Sequence, residues 1–459
     1  MERIVFIGSH LGYPMDRTPL GGGAMVGLRL ARRWARERAC ELTVLGSGPL
    51  PPAESGEYVR LPADCVYEPV HLSEFEYARF CRDFEAATTD WLLSRRGRFA
   101  PGSTCVLVND VSEGPTLAAL AAAGYPIVSI WHVDVVDYFN KLYLRNWVRP
   151  ERLTRLYERC CRMGIARAVP DLLRIVFEKQ QDTVRYSNRL IVPSRGMAET
   201  LTRCYGGLWP EQALPQRIQV VPWGAFEDEA PGPAPEARIQ ELRARYGIGP
   251  DTAVLMTLSR ISPEKGIHLL LEGLRLLEGD GRLRDRDVVL LVCGDAAFMQ
   301  GARYMRRVRA AAGKLKRVRV FFPGYLDAAA KKAHFPLAQL FISPSVHESY
   351  GLNVAEAMQA GLAVLASDHY GVREMLDEGC GRAVSYADLS AAPARLAEAL
   401  AGLISERDKL LAMGRKSRER AEAMPFARAA DAILAACREL WGRPAGPAAI
   451  GVGRRQDGG

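Results

Sequence analysis

The sequence predicts an α/β protein built from two doubly wound parallel sheets in series. Short apolar runs, each ending in Gly, Ser, Asn, Asp or His, alternate with longer helical patterns, as in parallel sheets covered by helices on both faces. A proline-rich acidic stretch at 226–240 interrupts this alternation, and 459 residues exceed the usual size of one domain. Ligands of such sheets bind at the carboxyl ends of the strands. We therefore expect the functional site in the cleft between the two domains.

The predicted strands fall into two sets, one on each side of the interrupting stretch. The first set spans 3–9, 41–47, 104–110, 126–132 and 189–194, with a helix over 24–37, and the second spans 253–260, 287–295, 318–324, 340–345 and 363–368. These ranges predict an N-terminal domain over 1–225, a linker over 226–240 and a C-terminal domain over 241–423. Residues 137–185 form a basic, helical insertion in the first domain, and 442–459 is predicted to be a flexible tail.

Composition and charge narrow the class of partner. The net charge of +8 indicates nucleic acid, an anionic membrane surface or a phosphorylated small molecule. The sequence contains no aromatic-plus-basic motif, so we expect no nucleic-acid partner. No apolar run approaches the roughly 18 residues of a spanning helix or forms a signal-peptide core, so we expect a cytoplasmic protein. The ten cysteines form no C-x-x-C pair, which favours reduced thiols over disulfide or metal sites.

The stretch "LSRISPEKGIHLLLEGL" (258–274) follows a predicted strand and contains two cations. Ser262 is predicted to be the N-cap of the next helix and Pro263 its first residue. Lys265 would then lie in the first turn, where the helix dipole disfavours a cation. Arg260, Lys265 and free backbone N–H groups together suit an anion. The alternative is that both side chains face solvent or pair with Glu264.

The stretch "HESYGLNVAEAMQAG" (347–361) places two glutamates eight residues apart around a predicted helix start. Asn353 could cap this helix, with Glu356 three positions later completing a capping box. That structural account covers neither Glu348 nor Gly351, which would let a ligand approach the backbone. Carboxylates accept hydrogen bonds from hydroxyl groups and helix N–H groups bind phosphate. The pattern therefore favours a nucleotide sugar as ligand.

Two features of the first domain are weaker signals. Gly21, Gly22 and Gly23 lie between a predicted strand and helix, where a glycine loop can hold a phosphate or simply form a tight turn. His132 ends the predicted strand "PIVSIWH", at the edge of the sheet where ligands bind. A single histidine at such a position can equally be structural.

The stretches 259–274 and 343–376, taken together, resemble the retaining glycosyltransferases of family 4, which have the GT-B fold. The spacing of Glu348 and Glu356 is similar to the E-x7-E motif of that family. The matches run in order over roughly 1–440 and are stronger in the second half. They imply two Rossmann-like domains, with 424–441 as a helix that crosses back to the first domain.

The resemblance also implies a role for each matched residue. It implies that Arg260 and Lys265 bind the donor diphosphate, that Glu348 faces sugar hydroxyls and that Glu356 holds the ribose. His132 would lie near the anomeric centre. The remaining donor contacts would come largely from backbone, at Gly22, Gly23, Gly324, Tyr325, Tyr350, Gly351 and Leu352.

The implied reaction is retaining transfer of a sugar from a nucleoside diphosphate sugar to a hydroxyl of a small-molecule or lipid-linked acceptor. A UDP-hexose or UDP-N-acetylhexosamine is the default donor. The family needs no bound metal or other cofactor, so we expect none. The base, the sugar, the acceptor and the oligomeric state stay open. Alternatives are a non-transferring relative, such as a sugar-nucleotide epimerase, or a degenerate binding protein.

Two basic segments bear on where the acceptor is met. Residues 302–319 form a basic predicted helix, and 155–179 is basic and partly amphipathic. Either could make peripheral contact with an anionic membrane, although such runs are more commonly solvated helix faces. With a lipid-linked acceptor we expect 155–179 to matter. With a soluble acceptor the same segment would form a pocket wall.

Overall fold

The computed structural model describes residues 2–14, 21–62, 72–143, 148–164, 170–208, 213–226, 234–297 and 301–442. The chain divides into two compact units. Unit 1 comprises Met1–Val221 with Ala430–Gly459, and unit 2 comprises Pro222–Ala429. The divisions predicted from the sequence are at 225, where the first domain ends, and at 424, where the crossing helix begins. Residues 227–233 of the predicted linker and 443–459 of the predicted tail lie outside the described residues.

Unit 1 contains a parallel sheet of seven strands in the order β3-β2-β1-β4-β5-β6-β7. Its strands are β1 (Arg3–Ile7), β2 (Glu41–Gly46), β3 (Glu57–Arg60), β4 (Thr104–Val108), β5 (Ile127–Ile130), β6 (Arg189–Val192) and β7 (Ile218–Val220). Its helices are α1 (Gly22–Arg36), α2 (Glu74–Leu93), α3 (Leu117–Ala122), α4 (Val135–Tyr143), α5 (Pro150–Arg162), α6 (Asp171–Tyr186), α7 (Arg195–Tyr205) and α8 (Leu214–Arg217).

Unit 2 contains a parallel sheet of six strands in the order β10-β9-β8-β11-β12-β13. Its strands are β8 (Ala253–Leu258), β9 (Val288–Cys293), β10 (Val318–Gly324), β11 (Leu340–Ser343), β12 (Ala363–Ser367) and β13 (Gly381–Val384). Its helices are α9 (Glu236–Arg245), α10 (Ile267–Gly279), α11 (Gly301–Ala312), α12 (Ala328–His334), α13 (Leu352–Gln359), α14 (Tyr370–Met375), α15 (Ala392–Ile404) and α16 (Arg407–Glu422), and α17 (Phe426–Arg438) begins in this unit.

Burial explains why the central strands could be predicted. Every residue of β4 and β9 is buried, because helices cover both faces of the sheet. The prediction of two doubly wound parallel domains is confirmed. Three strands were missed, β3, β7 and β13, and all are edge strands with partly exposed or polar residues. An edge strand does not require a continuous apolar run.

Two other elements differ from the sequence analysis. The insertion predicted at 137–185 corresponds to α4, α5 and α6, and Val136, Tyr157, Val176 and Phe177 of these helices form a hydrophobic cluster. Residues 144–147 and 165–169 of this segment lie outside the described residues. Helix α9 starts inside the predicted linker, since Pro235 fixes the backbone just before its first turn.

Helix α17 continues into unit 1, where this helix and the residues just after it contact α1 and β1. The indole Nε1 of Trp34 donates to the carbonyl of Ala430 at 3.3 Å. Trp441 donates in the same way to the carbonyl of Arg3 at 3.1 Å. These contacts hold the described residues from Ala430 onward in unit 1.

A single glycine controls how the loop after β8 meets the loop after β11. Gly266 is left-handed, with φ 63°, and a Cβ there would lie 1.9 Å from the carbonyl oxygen of Pro344. We predict that Gly266→Ala destabilises unit 2 by more than the roughly 1–3 kcal/mol of backbone strain alone. Gly279→Ala, at the other end of α10, meets no atom within 4 Å and should change stability by less than about 1 kcal/mol. Thermal unfolding of both variants tests this, and equal effects would contradict it.

Candidate active site

The candidate site of unit 2 lies where the strand order of its sheet reverses. Strands β8 and β11 are neighbours there, and the loops after their carboxyl ends are hydrogen-bonded together. The N–H of Val346 donates to the carbonyl of Glu264 at 2.7 Å. With the close approach of Gly266 to Pro344, this bond fixes the two loops side by side.

This arrangement brings Lys265 and Glu348 together, although 83 positions separate them in the chain. Lys265 Nζ lies 2.5 Å from Glu348 Oε2, and the two side chains are only 12% and 19% exposed. Burial by itself would raise the pKa of Glu348. The charge of Lys265, with His369 and His347, outweighs burial and holds that pKa below its ordinary value. Glu348 is therefore an ionised acceptor at neutral pH.

Arg260 has a different partner in the same loop. Its Nη2 lies 3.8 Å from Glu264 Oε1, and Ser262 Oγ also donates to this buried carboxylate. The sequence left open that Arg260 and Lys265 pair with Glu264 instead of binding an anion. Arg260 does lie beside Glu264, whereas Lys265 pairs with Glu348. The predicted N-cap at Ser262 and first helical residue at Pro263 are confirmed, but they belong to a short 3-10 turn and not to the long helix that follows. Residues Pro263–Lys265 form a 3-10 turn after Ser262, and α10 begins only at Ile267, because the left-handed Gly266 separates them.

Helix α13 begins two residues earlier than predicted. Its N-cap is Gly351, with φ 98°, and no side chain caps it. Asn353 lies inside the helix, and its Nδ2 donates to the carbonyl of Leu258 at 3.0 Å, which ties α13 to the end of β8. The predicted capping box between Asn353 and Glu356 was therefore wrong. The reason is that Gly351 tolerates the left-handed turn that starts the helix at Leu352.

Both carboxylate oxygens of Glu356 take part in an ion pair that was not predicted from the sequence. Lys331 Nζ, from α12, lies 2.9 Å from both carboxylate oxygens of Glu356. Both side chains are partly buried. The signal available in the sequence was only the pair of lysines in "AAAKKAH" (328–334). Nothing local connects that stretch to Glu356.

The turn after β10 joins the same edge of the sheet. Gly324 is left-handed, with φ 84°, and its carbonyl accepts from the N–H of Gly294 at 2.7 Å. The N–H of Tyr325 donates to Asp295 Oδ2 at 3.2 Å, and the Tyr325 side chain is exposed. Asp295 was not singled out from the sequence, although it follows a fully buried strand, where ligand-binding groups are expected.

Tyr350 contributes to the structure through its side chain. The ring is buried, its hydroxyl accepts from the N–H of Gly224 at 2.8 Å, and burial raises its pKa to about 12. A Cβ on Gly371 would lie 2.1 Å from the carbonyl oxygen of Tyr350. The contacts of its hydroxyl and of its backbone therefore hold Tyr350 in place.

In unit 1, Gly23 and His132 are close together. Helix α1 starts at Gly22, and a Cβ on Gly23 would lie 2.9 Å from His132 Cδ2. His132 lies two residues beyond the end of β5 rather than at its last position. Asn109, which follows β4, connects the two: its Nδ2 donates to the carbonyl of Gly23 at 3.2 Å, and its Oδ1 lies 3.1 Å from His132 Nε2. Asn109 is not among the residues predicted from the sequence.

His132 is a neutral hydrogen-bonding group in this environment. Burial lowers its pKa to about 4, and the charge of Glu113 opposes this only in part. The side chain oxygen of Asn109 accepts from Nε2, which assigns the imidazole proton to that nitrogen. The ring can thus orient a polar group but does not supply a positive charge at neutral pH.

A buried acidic cluster occupies the same edge of the first sheet. Asp110 accepts from the N–H of Ser9 at 3.1 Å, and His10 Nε2 lies 3.2 Å from Glu113 Oε1. The Tyr77 hydroxyl also donates to Glu113. Burial and the charge of Glu113 raise the pKa of Asp110 to about 6. The switch point of the first sheet, between β1 and β4, is therefore polar as well.

Within the described ranges, no three His, Cys, Asp or Glu side chains are grouped so as to hold a metal ion. No helix of that part of the chain has the length and apolar character needed to cross a membrane. The nine cysteines of the described ranges are all free thiols.

Solved structures with the same architecture identify the fold as GT-B. A sucrose-phosphate synthase from Thermosynechococcus elongatus aligns with a TM-score of 0.67 at 17% identity, covering 96% of this chain and 99% of that one. HepE of Anabaena, in complex with UDP and glucose, aligns with a TM-score of 0.63 at 16% identity, covering 96% of this chain and all (100%) of that one. At these identities the similarity shows the fold alone.

Sequence comparison defines the class of the second unit. Residues 238–420 match the family Glycosyl transferases group 1, so unit 2 is a glycosyltransferase group 1 domain. The chain is 32% identical over 267 residues to a D-inositol 3-phosphate glycosyltransferase of Geodermatophilus obscurus, covering 57% of this chain and 54% of that protein. It is 29% identical over 245 residues to an alpha-maltose-1-phosphate synthase of Mycobacterium tuberculosis, covering 52% and 60%. The matches thus span little more than half of these relatives.

The environment of His132 predicts a dependence of stability on pH. Its pKa is about 4 in the folded protein and about 6.5 when unfolded. The unfolded chain therefore binds the proton more tightly, and stability falls as pH decreases from about 6.5 towards 4. Between pH 7.5 and pH 5, wild-type protein should lose about 2 kcal/mol more stability than His132→Asn. Thermal unfolding at both pH values measures this difference, and identical losses in the two proteins would contradict it.

Proposed function

We propose that the chain is a retaining glycosyltransferase that moves a sugar from a nucleoside diphosphate sugar to a hydroxyl group of its acceptor. The observation that carries the proposal is the Lys265–Glu348 pair at the switch point of a glycosyltransferase group 1 domain. A cation suits the donor diphosphate, and an ionised carboxylate suits the sugar hydroxyls. The family similarity supports the same reaction class.

The donor would lie along the carboxyl edge of the second sheet. We assign the diphosphate to Arg260, Lys265 and the N-terminus of α13, whose N-cap Gly351 has no side chain. Glu348 would accept hydrogen bonds from sugar hydroxyls. Glu356, oriented by Lys331, would accept those of the ribose. The base would pass the backbone at Gly324 and Tyr325, and the backbone of Tyr350 and Leu352 would border the sugar and phosphate.

The proposed chemistry is a same-face substitution at the anomeric carbon. The bond from that carbon to the diphosphate oxygen breaks, the acceptor oxygen forms the new bond, and the acceptor proton passes to the departing diphosphate. Negative charge grows on the leaving group, so preorganised cations and helix N–H groups stabilise the transition state. The proposal uses no protein nucleophile and no metal. His132, neutral and held by Asn109, would orient a sugar or acceptor hydroxyl, with the Gly22–Gly23 loop beside the phosphates.

UDP and phosphorylated acceptors are the first ligands to test. HepE, which shares the fold, has been solved with UDP and glucose. Two relatives carry inositol 3-phosphate or maltose 1-phosphate in their names. We therefore propose, more specifically, a UDP-hexose as the donor and a phosphorylated sugar or polyol as the acceptor. A lipid-linked hydroxyl belongs in the same acceptor panel.

Thermal stabilisation by UDP, GDP, ADP, dTDP and their sugar conjugates tests the donor half of this proposal. A ligand at a hundred times its Kd should stabilise the protein by about 2.7 kcal/mol. We predict a response to one base above the others. Glu356→Gln and Lys331→Met should each weaken the binding of that nucleotide by about tenfold. In these variants the carboxylate that accepts the ribose hydroxyls is lost or misoriented. No response to any nucleotide in folded protein would contradict the proposal.

Transfer itself depends on the Lys265–Glu348 pair. Lys265→Met and Glu348→Gln should each lower kcat at least 100-fold, the effect expected when a group that stabilises transition-state charge is removed. The matched control is the exposed pair Arg282–Glu398 of the same unit, whose Nη1 and Oε2 lie 2.7 Å apart. Arg282→Met and Glu398→Gln should leave kcat within about twofold. Normal turnover in either site variant, measured as nucleotide release with acceptor, would refute the assignment.

A further inference from the structure

Helix α5 of unit 1 exposes apolar and basic side chains on one face. Leu156 is 58% exposed and Met163, just after the helix, is 64% exposed. Arg152, Arg155 and Arg159 are exposed on the same face. Large apolar side chains this exposed are uncommon in the described part of the chain. The face therefore differs from an ordinary solvated helix surface.

The spacing of these residues shows that they form one stripe. After Arg152, the other exposed arginines and apolar residues lie at positions +3, +4, +7, +10 and +11. Residues with this spacing lie on one side of an α-helix. The opposite side, with Leu153, Tyr157 and Cys161, packs into the hydrophobic cluster of the insertion. Helix α5 thus has a packed inner side and an uncovered outer side.

The charges on this outer side are largely uncompensated. Arg162 lies 3.2 Å from Glu158, one turn away. Among the described residues, no carboxylate forms an ion pair with Arg152, Arg155 or Arg159. Three free guanidinium groups beside two exposed apolar side chains complement a surface that is anionic and has an apolar interior.

We propose that α5 docks unit 1 onto an anionic phospholipid surface. The arginines would contact headgroup phosphates while Leu156 and Met163 enter the boundary with the acyl chains. A nucleic acid would use the charges but leave both apolar side chains in water. This inference stands apart from the glycosyl-transfer proposal, because none of its residues belongs to the candidate active site.

Helix α11 of unit 2 offers a matched comparison. Its Arg303, Arg306 and Arg307 are also exposed, and no carboxylate of the described residues pairs with them. This helix contains no exposed large apolar side chain. If positive charge alone drove membrane binding, α11 should contribute as much as α5.

Sedimentation of the full-length protein with vesicles tests the proposal. We expect binding to phosphatidylcholine vesicles containing about one-third phosphatidylglycerol, weakened by salt, and little binding to phosphatidylcholine alone. Arg155→Gln with Arg159→Gln should lower the partition coefficient about twentyfold. Leu156→Ser with Met163→Ser should lower it about tenfold or more. Arg303→Gln with Arg306→Gln, the matched control, should change it less than about twofold.

Three results would overturn the proposal. These are no binding to anionic vesicles, an equal loss in the α5 and α11 arginine variants, or full retention of binding in the Leu156/Met163 variant. Tighter binding to a DNA duplex than to anionic vesicles would assign the face to nucleic acid instead. All substituted side chains are exposed, so thermal unfolding should match wild type and folding defects can be recognised. The same samples can be assayed with nucleotides, which separates this result from that of the donor site.

Discussion

The close approach of Gly266 to the carbonyl oxygen of Pro344 is the constraint on which the candidate donor site depends. Only a residue without a Cβ fits at this position with φ 63°, because a Cβ would collide with that carbonyl oxygen. The contact places the loop after β8 against the loop after β11, and the bond from Val346 to Glu264 fixes their register. The pairing of Lys265 with Glu348 follows from this backbone arrangement.

Opposite charges are arranged along the carboxyl edge of the second sheet. Lys265 holds Glu348, Lys331 holds Glu356, and Arg260 lies near Glu264. Partly buried ions of this kind are costly unless each has a partner. Without ligand, the pairs satisfy one another. A diphosphate would compete for the cations, and hydroxyl groups would find carboxylates that are already ionised and oriented.

The first unit presents a different chemistry at its own switch point. Its central histidine, His132, is neutral, and Asn109 fixes its orientation. The nearby carboxyl groups of Asp110 and Glu113 are buried and hydrogen-bonded. The described groups of this edge are therefore polar, and His132 adds no positive charge at neutral pH. The neutral ring of His132 suits the hydroxyl groups of a ligand, in keeping with a role in placing sugar or acceptor hydroxyls.

The sequence was sufficient for the buried strands and for the residues next to them, because burial on both faces leaves a continuous apolar run. The sequence was insufficient wherever a tertiary contact determines the position of an element or the partner of a side chain. The edge strand β3 lacks such a run, and the start of α13 is determined by Gly351 rather than by the better capping residue Asn353. Lys331 and Asn109 could not be assigned from the sequence, because their partners are distant in the chain. Glu356 lies 25 positions from Lys331, and Gly23 lies 86 positions from Asn109.

The most direct test of the donor-site account is a crystal structure with the nucleoside diphosphate that stabilises the protein most. The account predicts a phosphate oxygen within about 3 Å of Lys265 Nζ. It also predicts ribose hydroxyls within hydrogen-bonding distance of the Glu356 carboxylate. A nucleotide bound at another place, with Lys265 still on Glu348 and no ligand atom near Glu356, would contradict it.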